Sequence, residues 1–172
     1  MAVHSLHVFD RKGKTLFTKR YIQDGASSKD DETERAEQRK LVFGMLFSLR
    51  EVVNSLSPSS DVNPIINDGG LHAVRTGAST LFNFETTSGL RFALYCTNQN
   101  AGAIDYYSDA HSANQQQQQQ VIIRNALKFI YNDLWIPFVT RSPLYSPTEP
   151  NVYSTNFEQK LDAYFAEQPW FR

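Results

Sequence analysis

Gly13-Lys14-Thr15 is spaced like the tail of a phosphate-binding loop, in which backbone N–H groups and a lysine cradle phosphate oxygens. Such a loop needs a second glycine five residues earlier. It also needs a following helix whose N-terminus meets the anion. Val8 occupies the glycine position and the pattern after Thr15 is that of a strand, so the triplet reads as a hairpin turn. His4 and His7 lie three apart, which on a strand sends them to opposite faces. His72 and His111 belong to other segments, while zinc needs four converging ligands, so the histidines read as structural or solvated. Asp105, Asp109 and His111 are closer together but stand in a polar stretch with no expected element to hold their geometry. Cys96 falls on the apolar parity of a strand, with neither a helix start nor a basic cluster beside it. It reads as a core thiol rather than a nucleophile. There is no Gly-x-Ser-x-Gly elbow, no His-Glu-x-x-His and no paired-carboxylate signature. The expectation is no catalytic residue, no metal and no cofactor.

Any function therefore rests on surfaces, and the composition narrows which kind. The 172 residues suit one domain with one sizeable core, since 41% are hydrophobic and 13% aromatic. Seventeen Lys and Arg balance eighteen Asp and Glu, so the basic field expected of a nucleic-acid or anionic-membrane binder is missing. A single cysteine excludes an intrachain disulfide. The opening MAVHSLHVFD has no basic n-region and a broken apolar stretch, no spanning run of apolar residues occurs, and no Asn-x-Ser/Thr site is present. A cytoplasmic address is expected.

Residues 3–9 and 14–21 read as strands joined by Asp10-Arg11-Lys12-Gly13, the residue preference of a type I turn. Leu6 and Val8 share one parity, Val3 and Phe9 the other. Residues 22–33 read as a polar linker. From about Glu34 to Leu56 the period becomes helical, with Leu41, Met45, Leu49, Val52, Val53 and Leu56 on one stripe expected to pack on a sheet. Val42, Phe43, Leu46 and Phe47 carry apolar surface around most of that helix, which must then be covered on more than one side. Ser57-Pro58 ends it.

After a loop at 59–70, runs at 71–77, 80–86 and 90–97 read as an antiparallel meander punctuated by Gly77 and Gly89. In the last run Leu90, Phe92, Leu94 and Cys96 face one way and Ala93 and Tyr95 the other. Strands apolar on both faces imply helices on two sides, hence an α/β three-layer sandwich on a five-stranded sheet. Residues 98–120, with Gln115 to Gln120, read as a disordered low-complexity insertion. A second helix runs from about Val121, with Ile123, Leu127, Ile130 and Leu134 on one face, and Pro137 should end or kink it. Residues 140–155 read as loop. Thr155-x-x-Glu158 reads as a capping box opening a last helix with Phe157, Leu161, Tyr164 and Phe165 inward, closed by Pro169.

Four stretches carry a resemblance: VHSLHVFDRKGK at the start, GMLFSLR at 44–50, LFNFETTSGLRFAL at 81–94 and NFEQKLDAYFAEQPWF at 156–171. Together they resemble the smallest longin-like, sybindin-type core subunit of TRAPP, the transport protein particle. The match is to Gly-Met-Leu-Phe-Ser at Gly44 to Ser48, Glu-Thr-x-Ser-Gly-Leu at Glu85 to Leu90, and the last-helix motif from Phe157 to Tyr164. Residues 22–33, 59–70 and 98–120 look longer than the family's, and Pro137 stands where the family continues a helix.

The resemblance implies a longin-like ββαβββαα fold over residues 1–172. It also implies a non-catalytic role in a complex that exchanges guanine nucleotide on a Rab-type small GTPase in endoplasmic reticulum-to-Golgi transport. The implied partners are a second longin-like subunit, a subunit of the acyl-cysteine family and the GTPase, with membrane association only through the complex. The candidate interface is Phe43, Phe47, Arg50 and Asn54 on the first helix, off the stripe expected to pack inward and rich in types over-represented at hot spots. A longin-type domain of a SNARE or an adaptor chain is the other reading. A SNARE is expected to add a heptad region and an anchor, and an adaptor a different first-helix motif.

Overall fold

The computed structural model describes residues 2–22, 29–56, 70–76, 78–97, 110–146 and 154–171. The elements are β1 (Ala2–Phe9), β2 (Thr15–Arg20), α1 (Lys29–Leu56), β3 (Ala73–Arg75), β4 (Ser79–Glu85), β5 (Arg91–Thr97), α2 (Ala110–Phe129) and α3 (Thr155–Glu167). The α2 helix runs on as a π-helix over Ile130–Thr140. The strands form one antiparallel sheet in the order β2-β1-β5-β4-β3. The expected ββαβββαα order and mixed α/β class hold.

The two faces of the sheet are unequal. One carries Leu6, Val8, Phe17, Phe82, Phe92, Leu94 and Cys96 against Ile123, Leu127, Trp135, Phe157, Leu161 and Phe165 of α2, its π-helical continuation and α3. Trp135 anchors this core, meeting Phe92 edge-on at 5.6 Å and Phe157 at 5.4 Å, a favoured arrangement for paired rings. The opposite face is thin. Phe9, Leu81 and Ala93 meet Leu46 of α1, with Val42, Phe43, Leu71, Val74 and Tyr95 around them. On β5 the expected parity holds: Phe92, Leu94 and Cys96 face the large core and Ala93 and Tyr95 the thin one.

Six local expectations are corrected. Of the expected stripe, Leu49 and Val53 are half-buried, and Leu41, Met45, Val52 and Leu56 do not pack on the sheet. These four face solvent, Leu41 being 72% and Leu56 75% exposed, while Leu46 at 1% is the residue that α1 buries. Apolar residues all round a helix leave its rotation undetermined, and here Phe43 and Leu46 set it. Val3 joins Leu6 and Val8 on the large-core face because the register slips between Val3 and Ser5, and one extra residue inverts parity.

The α2 helix begins at Ala110 and takes in Gln115 to Gln120, so this part of the expected disordered insertion is ordered. Glutamine is a good helix former, and extending a helix already anchored at Ile123 and Leu127 needs no new nucleus. Pro137 neither ends nor breaks the following segment, which continues to Thr140 with Arg141 N–H donating to Ile136 O at 2.9 Å, the wider π spacing. Finally, Ser154 rather than Thr155 caps α3, its Oγ accepting from Phe157 N–H at 3.3 Å and donating to Phe138 O at 3.2 Å. Residues 29–33 of the expected linker form the start of α1 instead, while residues 23–28, the expected loop at 59–69, residues 98–109 and residues 147–153 lie outside the described residues.

Candidate functional site

Two hairpin turns and one helix meet at the end of the thin face. In the first turn Asp10 Oδ1 accepts from the backbone N–H of Lys12 (2.8 Å) and Lys14 (2.7 Å), and Gly13 takes φ +85°. Gly13-Lys14-Thr15 is thus a hairpin turn entering β2, as expected. The second turn joins β4 to β5: Gly89 N–H donates to Thr86 O, Thr86 N–H to Leu90 O, and Gly89 also takes φ +85°. A Cβ on Gly89 would stand 2.8 Å from Arg11 Cβ, so the turns touch there and Arg11 is held at the junction. From the helix side Phe43 lies on Gly13, and its ring centroid is 5.7 Å from that of Phe9.

The second turn also fixes a charge pair. With register set by the turn, Glu85 and Arg91 stand directly opposite across β4 and β5. Arg91 Nε lies 3.5 Å from Glu85 Oε2, and Arg50 Nη1 lies 3.3 Å from Glu85 Oε1. One carboxylate therefore serves two guanidiniums. Arg91 is 4% exposed, on the parity of Ala93 and Tyr95, with its guanidinium carbon 5.0 Å from the centroid of Phe43 and 5.6 Å from that of Phe47. Arginine over two ring faces is a favourable use of a buried cation.

Beside this triad lies a groove of about 700 Å³ that Arg11, Arg50, Arg91 and Arg124 all line, with Glu85. Arg124 comes from α2. His72 also lines the groove, and burial, then the nearby Lys128, lowers its imidazole from the ordinary value.

The four interface candidates separate. Phe43 is half-buried and packs within its own chain on Gly13, Phe9 and Arg91. Phe47 is 46% exposed, Arg50 is half-exposed and paired with Glu85, and Asn54 is exposed; these three line the groove. The sequence reading did not single out Arg11, Arg91 or Arg124. A signal existed for Arg91: a charge on the inward parity of a strand, six residues after a glutamate, with a tight turn between.

The remaining candidates stay apart. His7 is held between Ser5 Oγ (3.0 Å) and Thr18 Oγ1 (3.2 Å) on β1, away from His72 on the approach to β3. Cys96 is buried in the large core, as expected. Among the described residues no three His, Cys, Asp or Glu side chains are grouped to hold a metal, and no described helix is long and apolar enough to cross a membrane. Asp105 and Asp109 lie outside the described residues, and for His111 only its place in α2 is described.

An antiparallel five-stranded sheet with one long helix on its thin face and two helical segments on the other, its hairpin ends and helix converging on a polar groove, defines an α/β domain of ββαβββαα order. The chain belongs to the Sybindin-like family, whose model matches residues 3–113 and so spans both turns, α1 and the Glu85–Arg91 pair. It is similar to Trafficking protein particle complex subunit 1 of Rattus norvegicus and of Homo sapiens, each 30% identical over 171 residues covering 99% of this chain and 97% of the relative. The protein of the same name from Dictyostelium discoideum is 25% identical over 169 residues, 98% of each chain.

Proposed function

We propose that this chain is a subunit of a trafficking protein particle complex, and that the outward face of α1 is where it meets a neighbouring subunit. The observation that carries the reading is the exposed stripe Leu41, Met45, Val52 and Leu56. It extends over about 22 Å at the helical rise of 1.5 Å per residue. Exposed apolar surface of that extent on a soluble domain marks a contact. The family and the names of the relatives supply the kind of assembly.

Within that reading the chain carries no catalytic side chain. It scaffolds a second longin-like subunit and an acyl-cysteine-family subunit, and Phe47, Arg50 and Asn54 at the rim of the groove face the Rab-type GTPase. An exchange factor acts by binding the nucleotide-free GTPase more tightly than the loaded one, which needs surface complementarity rather than a nucleophile. Its place of work is then the cytoplasmic side of endoplasmic reticulum and cis-Golgi membranes.

The test is assembly and exchange measured together. Leu41→Asp with Val52→Asp should abolish co-purification of the longin-like neighbour, whereas Arg50→Glu should leave the complex whole and slow release of fluorescent nucleotide from the GTPase several-fold. Assembly indifferent to the two aspartates would overturn the docking face. Intact complexes with unchanged exchange in Arg50→Glu would leave the chain as scaffold only.

A further inference from the structure

We propose that the arginine-lined groove between the C-terminal half of α1 and the β4–β5 turn is a binding site for a phosphate group. Arg91 is the reason. Its guanidinium is buried and fixed in position by the strand register and the rings of Phe43 and Phe47, yet Nε and Nη1 have no hydrogen-bond partner. Its ionic neighbour Glu85 is shared with Arg50. A guanidinium offers five donors, and burying them without acceptors is costly unless a ligand supplies the acceptors.

The charge balance points to the ligand's chemistry. Arg11, Arg50 and Arg91 line the groove beside the Glu85 carboxylate, in a chain whose seventeen basic and eighteen acidic residues nearly cancel. A second carboxylate would bring one charge. A phosphomonoester brings about −1.5 to −2 and three strong acceptor oxygens, which suits several planar forks converging from different elements. The hydroxyl of Thr87, at the rim, adds a neutral donor. A soluble phosphomonoester and a lipid headgroup present the same group. The site needs no partner subunit, so binding is read on the isolated chain and goes beyond the assembly reading, although Arg50 is shared with the face assigned to the GTPase.

The experiment is calorimetric titration of the full chain with inorganic phosphate and pyrophosphate. Beside it, flotation is run with phosphatidylcholine vesicles with and without phosphatidylinositol 4-phosphate. The expected result is saturable, salt-sensitive binding that Arg11→Gln and Arg50→Gln each weaken about tenfold, the loss of one charge-assisted contact. Lys160→Gln, on the exposed side of α3, should leave it unchanged. Arg91→Gln should abolish binding with its circular dichroism preserved; should that variant fail to fold, the two rim arginines still decide. Soluble binding without vesicle capture assigns a free phosphate ligand, and capture only with the phosphorylated lipid assigns a headgroup. Absence of saturable binding in both arms, or binding indifferent to Arg11 and Arg50, would overturn the site. Arginine-dependent binding of a polyglutamate peptide without any phosphate binding would overturn it in favour of an acidic protein segment.

Discussion

A Cβ on Gly13 would stand 2.6 Å from Cε1 of Phe43, so α1 rests on the β1–β2 turn only because that turn carries a glycine there. The contact does two things at once. It sets the rotation of a helix that is apolar on nearly every side, and it places the Phe43 ring over Arg91. Three stretches of sequence far apart in the chain are thereby brought to one end of the domain: the first turn, the helix motif and the second turn.

Gly13→Ala should therefore act twice, through a backbone at φ +85° that Ala resists and through displacement of the Phe43 ring. The left-handed conformation alone costs roughly 1–2 kcal/mol for a residue with a Cβ. A chain of this size should show a thermal midpoint lowered by several degrees in scanning calorimetry. An unchanged midpoint would mean that α1 is not seated by this contact.

On α1, two leucines five residues apart should behave oppositely. Leu46→Ala removes the residue buried against Phe9 and Leu81 and should cost about 2–5 kcal/mol. Leu41→Ser alters a side chain that is 72% exposed and should stay within about 0.5 kcal/mol. It should also reduce self-association of the isolated chain, read by sedimentation velocity, because it interrupts the apolar stripe. Equal destabilisation by both would return Leu41 to the core.

His7 predicts a pH dependence. Burial foremost, then the neighbouring Arg39, Arg20 and His4, lowers its imidazole from 6.5 to about 4. Between those values the unfolded chain binds a proton that the folded chain refuses, so stability falls as pH drops through this window. The slope is at most about 1.4 kcal/mol per pH unit, and the group contributes no slope above the unfolded value. Urea midpoints followed from neutral pH down to about 5 should fall, and His7→Gln should flatten the curve.

Cys96 should be silent. Burial pushes its thiol up to about 12, so the native chain at neutral pH offers almost no thiolate. A disulfide reagent should label the single thiol only in denaturant, and native labelling should proceed no faster than the domain opens. Rapid native labelling would show the large core to be breached.

Much of this protein is written locally. Asp10 and Gly13 define a turn whatever follows, because the Asp side chain and a glycine at positive φ satisfy the backbone within five residues. The alternation of Phe92, Leu94 and Cys96 with Ala93 and Tyr95 requires cover on both faces of β5, and the spacing of Ile123, Leu127, Phe157, Leu161 and Phe165 supplies helices for one of them. The motif residues around Gly44, Glu85 and Leu161 were enough to expect the family.

What only the tertiary structure decided is which side of α1 looks inward and where charge is buried. Periodicity cannot orient a helix that is apolar all round; one ring against one glycine does. A slipped register at Val3 inverts a parity that alternation alone would assign wrongly. Arg91, Arg50, Arg11 and Arg124 stand on β5, α1, the β1–β2 turn and α2, and their groove exists only once strand pairing, helix rotation and the touching of two turns have each been settled by contacts between residues distant in the chain.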